Sequence, residues 1–134
     1  MIKSYTDISQ SKKLAEILPL ESADMEYLVI KETSALVGAV PFVKDDSEVE
    51  GSAYSHTYDR IACWSLAALS EFILPYIADD NGNNYKFYLS KDGLDRWIAY
   101  YKSDNVSIHI CEESDNMIDV IFEMVCWLKT EKYI

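Results

Sequence analysis

Glycine and proline are scarce in this chain of 134 residues, at four and three. That excludes linkers, collagen-like repeats and other low-complexity chains. Cysteine is scarce too. Cys63, Cys111 and Cys126 are an odd number at wide spacing, with no CxxC pair. A disulfide framework is therefore not expected, and free thiols in a reducing compartment are. No apolar run approaches the length of a membrane span. Residues Met1 to Lys13 are polar, carry Asp7 and lack the apolar core of a signal peptide. Cytoplasm is the expected location, and no membrane partner is expected. Positive charge is in deficit: 12 basic residues stand against 23 acidic ones, for a net charge of −11. Such a surface repels phosphate backbones and anionic lipid, so no nucleic-acid partner is expected. The same charge would attract a basic protein partner, although acidity also serves solubility alone.

What is abundant is apolar and aromatic. Hydrophobic residues make up 49% and aromatic ones 13%, with ten tyrosines and three tryptophans. A chain of this length is expected to form one domain, residues 1–134, with a real core. The tyrosines fit strands, where rings suit a half-buried pleated surface, or else an aromatic binding surface.

Asp7, with Gln10 three residues on, predicts a capping box. Ile8, Leu14, Ile17 and Leu18 mark the stripe of the helix that follows, and Pro19 ends it. Glu26 to Glu32 reads as a short strand. Thr33 to Val43 is a second β-branched run interrupted by Gly38 and Pro41, which argues for an edge or a strand end. Ile61 to Leu74 reads as a central helix, with Ser65 as N-cap and Pro75 as its stop. Tyr85 to Leu89, Arg96 to Tyr101 and Val106 to Cys111 read as an antiparallel meander. In its middle strand Trp97, Ala99 and Tyr101 point one way, and Ile98 and Tyr100 the other. In its last strand Val106, Ile108 and Ile110 alternate with Ser107, His109 and Cys111. Ser114 can cap a last helix whose core stripe is Ile118, Ile121, Val125 and Leu128, widened by Met117, Phe122 and Met124. The expected class is α+β, a mainly antiparallel sheet packed against helices in the order α-β-β-α-β-β-β-α.

Three segments carry a resemblance. They are Ala15-Glu16-Ile17-Leu18-Pro19-Leu20-Glu21-Ser22-Ala23-Asp24-Met25, Cys63-Trp64-Ser65-Leu66-Ala67-Ala68-Leu69, and Asp115-Asn116-Met117-Ile118-Asp119 through Glu123-Met124. Together they resemble a family of small hypothetical proteins of gut Bacteroides-type bacteria and their phages or mobile elements. The resemblance implies a biological setting and brings no activity, cofactor or site residue.

No stretch has the spacing of an active site, and there is no Gly-rich phosphate loop, GxSxG or HExxH. Cys63 with His56 could be nucleophile and base, but Cys63 borders an apolar run and reads as core. His109 and Cys111, two apart on one strand, could be a ligand pair, but a zinc site needs three or four such groups. Asp79-Asp80-Asn81-Gly82 suggests a calcium loop, but its glycine is misplaced and Ser90 stands where the closing Glu belongs; a turn is expected. Asp45, Asp46, Glu48 and Glu50 form a charge run of the solvated kind. No catalytic residue, cofactor or metal site is assigned.

The favoured reading is a non-catalytic interaction protein, accessory or inhibitor-like, with a basic partner. Its candidate surface is Tyr54, His56 and Tyr58, which would share one face of an extended segment. The alternative is a small-ligand binding domain with an aromatic pocket lined by Trp64, Trp97, Tyr100 and Tyr101. A third is an enzyme whose site is hidden in the linear sequence.

Overall fold

The computed structural model describes residues 3–38, 40–44, 57–91, 93–104 and 107–134, and only the backbone of 107–113. The described elements are α1 (Ile8–Ile17), a short 3-10 turn (Leu20–Ser22), β1 (Met25–Ile30), β2 (Phe42–Val43), β3 (Tyr58–Cys63), α2 (Leu66–Ser70), β4 (Tyr76–Ala78), β5 (Asn84–Lys91), β6 (Trp97–Lys102), β7 (Ser107–Ser114) and α3 (Met117–Thr130). The class is α+β, and both sheets are antiparallel throughout. The chain falls into two compact units. One is Tyr5–Ala68, and the other is Leu69–Ile134 with the N-terminal residues up to Ser4.

In the first unit, Asp7 caps α1 as its sequence predicts. The Gln10 amide donates to Asp7 Oδ1 at 2.7 Å, and the Asp7 amide donates to Gln10 Oε1 at 3.0 Å. Leu14 and Leu18 are buried as expected, and Ser11 joins them. The three strands lie in the order β2-β1-β3. The run after β1 does not form one strand. Its chain reverses at Ser34, with φ of 58°, turns again at Gly38, with φ of 76°, and among the described residues pairs with β1 only at Leu36 and at β2.

The expected helix over Ile61–Leu74 is corrected. Tyr58–Cys63 is a strand, six residues paired with β1 from Met25↔Cys63 to Ile30↔Tyr58. The physical reason is tertiary: β1 supplies a ladder along its whole length, and Ile61, Ala62 and Cys63 suit a half-buried strand as well as a helix. Ser65 does mark a helix start, because its Oγ accepts from the Ala68 amide at 3.2 Å. That helix ends at Ser70, well before Pro75.

A small polar core fixes the entry to α1. Thr6, Ser11 and Cys63 are each fully buried. Thr6 Oγ1 lies 2.8 Å from Ser11 Oγ and accepts from the Trp64 amide at 3.1 Å. The Thr6 carbonyl accepts from Tyr27 Oη at 2.8 Å and from Cys63 Sγ at 3.4 Å. Every member finds a partner, as buried polar groups must.

In the second unit the strands lie in the order β4-β5-β6-β7. The sequence predicts three of these; β4, Tyr76–Ala78, is the extra one, and it begins directly after Pro75. Tyr85, Phe87 and Leu89 alternate toward the core with Ala99, Tyr101 and Trp97, where Val120, Met124 and Leu128 of α3 meet them. The expected α3 stripe is buried at Ile118, Ile121, Val125 and Leu128, with Val120 added. Its cap differs: Asn116 is the N-cap residue, and Ser114 instead accepts from the Asn116 amide and donates to Asp119 at 3.0 Å. Asp119 also binds Lys3 Nζ at 2.8 Å. The expected strict alternation of β7 is interrupted. Tyr101 pairs with Ile108, but Ala99 pairs with Cys111 and Trp97 with Ser114, so bulges shift the register twice.

Candidate functional site

With Ser11, Leu14 and Leu18 turned inward, α1 presents Lys12, Ala15 and Glu16 on the adjoining flank, since residues three and four apart share a helix side. These three form one wall of a cleft in the first unit. Met25 and Glu26 of β1 and Arg60, Ile61 and Ala62 of β3 form another, and Leu20 and Lys44 complete it. Its volume is about 580 Å³, inside the range of roughly 300–1,000 Å³ usual for small-molecule sites. Met25, Ile61, Ala15 and Leu20 give it an apolar lining.

Its charge runs against that of the chain. Lys12, Lys44 and Arg60 outnumber Glu16 and Glu26 here, whereas acidic residues prevail in the sequence as a whole. Lys44 Nζ reaches the Leu20 carbonyl at 3.5 Å. Glu26 is the unusual member: only 9% of it is exposed. Arg60 Nη1 lies 3.6 Å from Glu26 Oε2, which is an ion pair but too long for a good hydrogen bond. Among the described residues that is the one side-chain polar contact Glu26 has.

The described residues among those the sequence predicts lie elsewhere. Trp64 is fully buried in the first unit, and its indole N–H donates to Ser22 Oγ at 2.9 Å. In the second unit Tyr101 is fully buried and donates to the Leu74 carbonyl at 2.6 Å. Trp97 packs at the margin of that core, with Lys91 Nζ 5.1 Å from its ring centre. Tyr100 is on the opposite face of β6, stacked on Tyr88 at 5.5 Å. Tyr100 and Tyr101 therefore point to opposite faces of β6. Tyr58 opens β3 and is half-buried. Tyr54 and His56 lie outside the described residues, as do Asp45, Asp46, Glu48 and Glu50.

Cys63 does not have the character of a nucleophile. Burial pushes its thiol above the ordinary value, against a smaller opposing effect of the hydrogen bonds from Thr6 and Ser11. Burial likewise pushes the Tyr27 phenol far up. The side chains of His109 and Cys111 fall outside what the structure describes. Among the described residues no three His, Cys, Asp or Glu side chains gather as metal ligands would. Asp79 heads a turn: it accepts from the amides of Asn81 and Asn83 at 3.0 and 2.8 Å, and from Tyr85 Oη at 3.0 Å. Hydrogen bonds from Asn83 hold its carboxyl below the usual value. Among the described residues no helix is long and apolar enough to cross a membrane.

Glu26 and Arg60 are the residues that sequence spacing missed. One signal was available: Glu26 is a charge at the start of the otherwise apolar Tyr27-Leu28-Val29-Ile30. Comparison with known proteins gives no match: no family model fits the chain, and no curated protein or solved structure is similar to it.

Proposed function

We propose that this chain is a non-catalytic binding protein whose seat for a small molecule is the cleft between α1 and the β2-β1-β3 sheet. The observation that carries the reading is the cleft itself, about 580 Å³ with an apolar lining and charged side chains at its walls. Such a combination holds an amphipathic molecule by burying its apolar body and fixing its polar end. A cytoplasmic setting is supported by the free thiols of Cys63 and Cys126. The test is an NMR fragment screen of the wild-type chain and of Ala15→Trp, which fills the cleft from α1. Ligands that shift the signals of Met25 and Ile61 and are lost in Ala15→Trp support the reading. Ligands unaffected by that substitution overturn it.

A second reading has its own observation. Leu36, Val40, Phe42 and Val43 are 44%, 55%, 42% and 77% exposed on one stretch of chain around β2. Apolar side chains exposed along one stretch suit a protein partner, and the net charge of −11 favours a basic one. Under it the chain is an accessory or inhibitor-like protein, in the mobile-element setting that the resemblance implies. Replacing Phe42 and Val43 by Ser would then abolish capture of that partner and leave cleft ligands bound.

A further inference from the structure

This inference rests on the cleft being a ligand seat, and it names the class of ligand. The starting point is Glu26. Its side chain is 11% exposed, and a carboxylate so sheltered is favoured by hydrogen-bonded donors that replace the water it has lost. Here the nearest donor, Arg60 Nη1, stands 3.6 Å from Glu26 Oε2. The pair attracts, but it leaves the carboxylate without a hydrogen bond from any described side chain. Arg60 has five N–H donors in a fixed fork, and among the described residues its side chain has no hydrogen-bonded acceptor. Both groups line the cleft, whose walls also include the apolar Met25 and Ile61.

An anion alone would be drawn by Lys12, Lys44 and Arg60, but at Arg60 it would meet Glu26 adjacent, and the like charges would oppose it there. A cation alone would meet Glu26 with Arg60 adjacent and suffer the same way. A molecule with both charges on neighbouring atoms meets neither penalty. Its carboxylate receives Arg60, its ammonium donates to Glu26, and each protein group gains a charge-assisted hydrogen bond. The apolar lining has room for a bulky side chain. We infer that the cleft binds a free α-amino acid with a large apolar side chain, its ammonium on Glu26 and its carboxylate on Arg60.

Four matched probes test it by calorimetry and NMR at neutral pH: L-phenylalanine, 2-phenylethylamine, 3-phenylpropanoate and 3-phenylpropan-1-ol. They share the ring and differ in charge. The expected result is that L-phenylalanine binds at least about tenfold more tightly than either singly charged probe, the worth of one charge-assisted hydrogen bond. Glu26→Gln, which keeps the shape, should bring L-phenylalanine down toward 3-phenylpropanoate. Arg60→Gln should bring it down toward 2-phenylethylamine. If 3-phenylpropanoate or 2-phenylethylamine binds wild type as tightly as L-phenylalanine, the zwitterion is overturned while the cleft stands. If the neutral alcohol alone binds, the result is the same. If none of the four shifts the signals of Met25 and Ile61, the cleft reading itself falls. The comparison among probes on wild type decides the class even where a variant fails to fold.

Discussion

Replacing Thr6 by Val tests whether the polar core holds the first unit together. The two side chains have nearly the same shape, so little packing changes, and what is lost is one hydroxyl. That hydroxyl accepts the Trp64 amide at 3.1 Å and lies 2.8 Å from Ser11 Oγ. Both partners are fully buried, so water cannot replace it. Each buried group left unpaired costs about 1–3 kcal/mol, which puts Thr6→Val at about 2–4 kcal/mol. Ser11→Ala alone should cost less, about 1 kcal/mol, because Thr6 keeps the Trp64 amide. Adding Ser11→Ala to Thr6→Val should restore part of the loss, since it removes the stranded hydroxyl and leaves only the Trp64 amide; the double-mutant cycle then shows a coupling energy well away from zero. The assay is urea unfolding followed by Trp64 fluorescence, in a background with Trp97→Phe and Trp127→Phe so that only the first unit is read. A Thr6→Val loss below about 0.5 kcal/mol, or strictly additive single changes, would refute the reasoning.

The remaining predictions concern the rest of the chain. Ile121→Ala, at a site 2% exposed, should cost about 2–4 kcal/mol, and an unchanged urea midpoint would show that α3 is not the keystone of its unit. The depressed carboxyl of Asp79 contributes stability that is whole above its ordinary value of 3.8 and is lost as pH falls through the lower folded value; Asp79→Asn should flatten the acid limb of a melting-temperature profile. Tyr27 and Cys63 have the opposite sign. Their raised folded values contribute stability that is whole below the ordinary 10.0 and 9.0 and is lost as pH rises past them, so Tyr27→Phe should flatten the alkaline limb. The net charge of −11 predicts no saturable binding of duplex DNA, even at low salt in an anisotropy titration.

What could be read in advance follows the range of the interactions involved. The Asp7–Gln10 box is written within four residues, and it formed as written. The stripe of α3 repeats over several turns, so one misplaced residue could not hide it, and Ile118, Ile121, Val125 and Leu128 are buried as its spacing required. Tyr58–Cys63 failed for the converse reason. Its residues carry no decisive local preference, and the choice between helix and strand is made by β1, which lies far back in the sequence. The cleft is harder still, because its chemistry exists only after that pairing. Glu26 stands opposite Ala62 in the ladder, and Arg60 lies two positions before Ala62 on the same strand face, which brings guanidinium and carboxylate together. A reading that makes Ile61 the start of a helix also separates Arg60 from Glu26. The error over one element and the missed site are therefore a single error. The aromatic residues are numerous, but Trp64 and Tyr101 are needed inside, each with its polar atom already engaged. The rings are explained by the core, whereas among the described residues Glu26 has the ion pair with Arg60 as its side-chain partner, and that pair is what singles out the cleft.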